Sequence, residues 1–194
     1  AAAFGLFFKP DGSGFYTSLV ADTVQYYSLV TAWDIEGMSA SSSETVTETA
    51  NLRGMFFKSD GTKMYLVSHS AGVDGYVYQY SLSPAWDITS SSYDSKSCNV
   101  GIWPYTVFFK PDGAVMYIGS AGTPEVDQYN LSGAWDVSTA VYDASYAPGN
   151  YIRAIGFKSD GSKFYVAPLY DETLFQYSLS PVWDVATANY DNKS

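Results

Sequence analysis

The sequence predicts an all-β fold, a β-propeller with four blades of four antiparallel strands, and three observations carry that prediction. A six-residue pattern occurs four times, as Phe7-Phe8-Lys9-Pro10-Asp11-Gly12, Phe56-Phe57-Lys58-Ser59-Asp60-Gly61, Phe108-Phe109-Lys110-Pro111-Asp112-Gly113 and Gly156-Phe157-Lys158-Ser159-Asp160-Gly161, with lysines 49, 52 and 48 residues apart. A Trp-Asp pair repeats at almost the same period, at Trp33-Asp34, Trp86-Asp87, Trp135-Asp136 and Trp183-Asp184. The composition is 18% aromatic with eighteen tyrosines, set among Gly, Ser, Thr, Val and Asp rather than among helix formers. Self-similarity at a period of roughly 20 to 50 residues means a solenoid, propeller or array.

Each unit divides into the same elements. An apolar run such as Gly54-Met55-Phe56-Phe57 precedes Lys-x-Asp-Gly, whose Asp-Gly supplies the backbone of a tight hairpin. The second strand is aromatic and β-branched, as in Lys63-Met64-Tyr65-Leu66-Val67, and ends in a polar loop. A third strand follows, for example Val77-Tyr78-Gln79-Tyr80-Ser81-Leu82, then the Trp-Asp turn, then a polar stretch such as Ser92-Tyr93-Asp94-Ser95-Lys96-Ser97 suited to an outer edge. Four strands in about 48 residues make a propeller blade. The blades are placed at 1–50, 51–101, 102–149 and 150–194. Inner strands apolar on both faces fit blades packed between neighbours. Hexapeptide β-helices have shorter periods, and a helical solenoid is excluded by the hairpins and the lack of a 3.6-residue pattern.

Phe-Phe-Lys-x-Asp-Gly, Met-Tyr, Tyr-Gln-Tyr-Ser-Leu-Ser and Ala-Trp-Asp-Val-Ser-Thr-Ala together resemble the repeat of a β-propeller group encoded by bacteriophages and some bacteria, within tail-fibre-like or surface proteins. The resemblance spans essentially the whole chain, and implies a recognition role on a virion or cell surface. The Trp-Asp pair is also similar to that of WD40 repeats, but no Gly-His precedes it, and it falls after the third strand.

The remaining composition narrows the function. With 20 acidic against 10 basic residues the formal charge is −10, which repels a phosphate backbone, so nucleic acid is not expected as a partner. One cysteine, Cys98, and one histidine, His69, provide no disulfide and no Cys/His zinc or haem set, and neither a metal nor another cofactor is expected. No apolar run approaches the roughly 18 to 20 residues that cross a bilayer. The segment from Ala1 lacks the pattern of a signal peptide, which reads as a soluble or mature segment without membrane insertion.

Four repeats favour a closed four-bladed monomer. A fragment of a longer array, or a half-ring that self-associates with a second copy, fits the repeat pattern as well.

Candidate ligand-binding residues are sought where inter-blade and second-to-third-strand loops share a face. The positions that break the repeat there are Arg53, His69, Trp103, Tyr105, Tyr151, Arg153 and Tyr170. Arg53 and Arg153 are matched by Phe4 and Tyr105 in the other units, and Trp103 alone among five tryptophans lies outside the Trp-Asp turn. Planar rings beside Arg, Asp and Asn suit a sugar, stacking on its C–H face while polar tips bind hydroxyls. Packing around the channel is the competing reading of these positions. The recurring Asp-Gly and Trp-Asp aspartates are read as turn residues, and His69 lacks the nucleophile motif of a catalytic base. No catalytic residue is assigned, and the chain is expected not to be an enzyme. The expected role is a non-catalytic module, extracellular or virion-associated, that binds a glycan or cell-surface receptor. The rivals are an oligomerising scaffold and, behind it, a polysaccharide hydrolase or lyase.

Overall fold

A computed structural model describes residues 2–69 and 74–194. The Lys-x-Asp-Gly turn organises every blade. Gly12, Gly61, Gly113 and Gly161 take φ of 70°, 72°, 74° and 72°, a backbone region that only glycine occupies without strain. The preceding aspartate accepts the backbone N–H two residues on, with Asp11 bonded to Ser13 and Asp60 to Thr62 at 2.9 and 3.0 Å. The repeat lysine pairs with the same carboxylate, as Lys58 with Asp60 at 2.7 Å. These bonds hold the Asp60 carboxyl at about 2 against the desolvation that opposes them. The turn roles expected for these aspartates are thus observed.

Strands pair around these turns into four sheets. Blade one holds β1 (Ala3–Phe8), β2 (Gly14–Leu19), β3 (Thr23–Ser28) and β4 (Ser39–Thr45). Blade two holds β5 (Leu52–Phe57), β6 (Lys63–His69), β7 (Asp74–Leu82) and β8 (Ser91–Ile102). Blade three holds β9 (Pro104–Phe109), β10 (Val115–Ser120), β11 (Val126–Leu131) and β12 (Ala140–Tyr146). Blade four holds β13 (Ile152–Phe157), β14 (Lys163–Pro168), β15 (Phe175–Ser178) and β16 (Asn189–Tyr190). Each sheet is an antiparallel meander in sequence order, so the protein is an all-β, four-bladed β-propeller.

The Trp-Asp turn folds back on the hairpin of its own blade. Trp86 N–H donates to the Gly61 carbonyl at 2.9 Å, and the indole lies where a Gly61 Cβ would stand. Asp87, Asp136 and Asp184 cap one-turn 3₁₀ helices at Ile88–Ser90, Val137–Thr139 and Val185–Thr187. The first residue of each helix is fully buried against the preceding blade.

Three joints between blades repeat one packing scheme. Phe7, Phe56 and Phe108 stack on Trp86, Trp135 and Trp183 of the next blade, with ring centroids 6.3 to 6.4 Å apart. Tyr16, Tyr65 and Tyr117 are wholly buried and donate to the carbonyls of those tryptophans. Gln79 and Gln128 accept the backbone N–H of Val137 and Val185 at 3.1 Å. One apolar cluster fills each of these joints. Among the described residues no such cluster joins blade four to blade one, and Leu6, Trp33 and Ile35 on blade one are about 60% exposed. The expected closed ring is corrected accordingly: the four blades form an arc. The repeat count alone does not fix the angle between blades, which the side chains at each joint set.

Candidate functional site

The inner strands β1, β5, β9 and β13 line a central cavity of about 340 Å³. At the same end of all four, the ladder to the second strand is interrupted by a bulge. The extra residues are Phe4 between Ala3 and Gly5, Arg53 with Gly54 between Leu52 and Met55, Tyr105 between Pro104 and Thr106, and Arg153 between Ile152 and Ala154. A bulge leaves one residue unpaired and re-aims its side chain. Repetition of the fold thus turns four non-repeating side chains towards one place.

There they interleave. The Arg53 guanidinium lies 4.3 Å from the Phe4 ring centroid and 5.4 Å from that of Tyr105. Arg153 lies 5.7 and 5.9 Å from the same two rings, so the cation from blade four reaches Phe4 across the open side of the arc. Stacking on ring faces is a favourable cation–π geometry. Neither guanidinium has a carboxylate within salt-bridge distance among the described residues. In a chain of net charge −10, two arginines on shared rings without acidic partners concentrate positive potential at the channel mouth.

His69 is corrected from a loop position to the last residue of β6, where it is buried. Its Nε2 accepts from Arg53 Nε at 3.1 Å, and its ring lies 6.0 Å from that of Tyr105. This arrangement makes His69 a support that aims Arg53 rather than a group presented to a ligand.

A second cavity of about 210 Å³ adjoins the mouth, lined by Trp103, Tyr105, Ala121, Gly122, Tyr151, Leu169 and Tyr170. The four aromatic candidates therefore share one hollow, with Tyr105 common to both cavities. Trp103 has φ of 52°, and its carbonyl is held by Ala121 N–H at 2.9 Å. Tyr151 and Tyr170 meet edge to face at 6.0 Å. All seven candidate residues thus fall on one patch, His69 from beneath.

One group escaped the sequence reading. Asp127 on β11 is buried, and desolvation, with a lesser contribution from the Glu125 charge, pushes its carboxyl up to about 6. Its signal was available: the equivalent positions are Gln25, Tyr78 and Phe175, so a carboxylate stands where no other unit carries a charge. Among the described residues no group of three or more His, Cys, Asp or Glu is arranged to hold a metal ion.

No family model and no curated protein matches the chain. Solved structures do. A protein of Bacteroides uniformis provisionally named a 6-phosphogluconolactonase aligns with 98% of this chain and 54% of its own, at 15% identity and a TM-score of 0.65. A Bacteroides fragilis protein of the same provisional name gives 98%, 54%, 15% and 0.66. The periplasmic gluconolactonase of Pseudomonas aeruginosa gives 97%, 52%, 14% and 0.61. The chain spans about half the length of each. At such identities the likeness establishes the fold alone. The expectation of a non-catalytic chain does not stand, since solved structures with this backbone include proteins named as lactonases.

Proposed function

We propose that the channel mouth binds a small anionic sugar derivative. The observation that carries this reading is the convergence of Arg53 and Arg153 on Phe4 and Tyr105, with no carboxylate paired to either among the described residues. Two neighbouring guanidiniums repel each other until an anion lies between them, and a phosphate or carboxylate takes their forked donors well. The aromatic hollow beside them offers Trp103, Tyr151 and Tyr170 to the apolar face of a pyranose. A main cavity of about 340 Å³ lies within the range of small-molecule sites. This reading keeps the sugar expected from the rings and places its charge against the arginines.

The names of the fold neighbours favour a reaction at that site, the opening of a sugar lactone by water. Attack on a lactone carbonyl builds negative charge on its oxygen, and a fixed guanidinium is suited to stabilise it. An extracellular or periplasmic location accords with the periplasmic neighbour. Calorimetric titration with 6-phosphogluconate, galacturonate and neutral glucose tests the binding, and pH-stat assay of gluconolactone and its 6-phosphate tests the reaction. Binding of the acids but not of glucose, weakened at least tenfold by Arg53→Met or Arg153→Met, supports the proposal. Equal affinity for glucose, or indifference to both substitutions, overturns it.

A further inference from the structure

We infer that the two bare faces of the arc are halves of a fourth joint, completed by a second copy of this chain to give a closed ring of eight blades. The internal joints show what such a joint requires. On the giving side stand a tyrosine whose hydroxyl reaches the next Trp carbonyl and a glutamine whose oxygen takes the next turn's N–H. On the receiving side stand the Trp-Asp turn, a β-branched residue two positions past the tryptophan, and an apolar residue of the inner strand.

Both halves are present and unpaired. Blade four carries Tyr165 and Gln176 at the positions of Tyr65 and Gln79, and Gln176 is already fixed by a bond to Asp191, as Gln79 is by Asp94. Blade one carries Leu6, Trp33 and Ile35. Their counterparts Met55 and Ile88 are 6% and 0% exposed, whereas Leu6 and Ile35 are 60% and 61% exposed. Charge matches as well. Lys96 pairs with Asp136 across the joint between blades two and three; its counterpart in blade four is Lys193, and the counterpart of Asp136 in blade one is Asp34, both exposed. In the ring, Lys193 of each copy meets Asp34 of the other, Tyr165 donates to the Trp33 carbonyl, and Gln176 accepts the Ile35 N–H.

The stoichiometry is set by the two faces, one giving and one receiving on each copy. The solved structures that the chain overlays along 97 to 98% of its own length are about twice as long as the chain, the length of two copies. A two-fold axis makes both new joints identical and leaves no face bare. Two mouths, each with its pair of arginines, then open on one closed channel.

One residue departs from the scheme. Gly156 stands where Phe7, Phe56 and Phe108 stack on the following tryptophan, and a Cβ built on it meets nothing within 4 Å. The joint between copies therefore lacks a ring that the internal joints possess, and is the weaker for it.

The experiment is the mass of the 194-residue chain by sedimentation and light scattering from micromolar to millimolar concentration. The expected result is a shift from 21.2 kDa to twice that mass with no larger species. Ile35→Asp and Lys193→Glu, both at exposed positions, are expected to weaken dimerisation at least tenfold, and Asp34→Lys to restore it in the Lys193→Glu background. Gly156→Phe, which fills the vacant ring position, is expected to strengthen it at least tenfold. A chain monomeric at millimolar concentration overturns the inference. So do open-ended polymers, and so does a dimer indifferent to Ile35→Asp and to the charge exchange.

Discussion

The hydroxyl of Tyr65 donates a 2.7 Å hydrogen bond to the carbonyl of Trp135 in the next blade. Trp135 holds φ of 66°, a left-handed backbone that costs a bulky residue about 1–3 kcal/mol, and the carbonyl it presents is the one that the tyrosine takes. A buried tyrosine and a left-handed tryptophan are thus two ends of one contact, made three times along the chain. Tyr65→Phe leaves the ring packing and removes the bond, and should cost about 1–2 kcal/mol because a largely buried carbonyl loses its donor. Chemical denaturation of the dilute chain checks this. Tyr165→Phe, the same change on the open face, should leave the dilute chain unchanged.

Gly61 illustrates why the hairpin and the Trp-Asp turn recur together. A methyl group there would stand 2.2 Å from the Trp86 indole, on a residue with φ of 72°. Gly61→Ala should therefore cost at least about 2 kcal/mol, since left-handed strain adds to displacement of a ring that packs the joint with blade one. A similar change at Gly149, where a Cβ meets nothing within 4 Å although φ is 90°, isolates the backbone part. Comparing denaturation midpoints separates the two contributions.

Asp127 should leave a mark on the pH dependence of stability. Its folded carboxyl titrates at about 6, above the ordinary 3.8, so the folded state holds the proton more tightly than the unfolded chain. Stability from this group is therefore complete below pH 3.8, declines as pH rises between about 4 and 6, and is absent above. Asp127→Asn should raise the Tm at pH 8, by roughly 2–10 °C for a gain of order 1–3 kcal/mol, and change it little at pH 4. The turn carboxylates such as Asp60, held at about 2, act in the opposite sense as pH falls below 4. The difference between wild type and variant cancels them.

The architecture was legible because it rests on local chemistry repeated four times. Asp-Gly needs a positive φ, Trp-Asp caps a turn, and alternation separates inner strands from outer. The open joint was not legible, because Tyr165, Gln176 and Ile35 obey the repeat as faithfully as their buried counterparts; only Gly156 broke it, in the very pattern used to count blades. The site was half legible. Arg53 and Arg153 stood out as departures from the repeat, whereas the bulges that turn them inward depend on register, which a sequence without its partner strand does not display. His69 looked like a loop residue because the polar segment after it begins immediately. Asp127 was hidden by its neighbours, Val126 and Gln128, which read as ordinary strand.

Arginine crowding without acidic partners has a thermodynamic signature that does not require the natural ligand. Arg53 and Arg153 share Phe4 and Tyr105 as stacking partners, so an anion received between them binds the folded state and not the unfolded chain. Such a ligand stabilises by RT ln(1 + [L]/Kd), about 2.7 kcal/mol when its concentration is one hundred times Kd. Phosphate should therefore raise the Tm more than chloride at equal ionic strength and pH, the excess saturating with concentration. Sulfate and phosphate also stabilise proteins by exclusion from their surfaces, and the arginine variants separate the two effects. Arg53→Met with Arg153→Met should keep the non-saturating rise and lose the saturating one. Thermal scans across a phosphate series, for both proteins, decide it: parallel curves would mean that the mouth holds no anion.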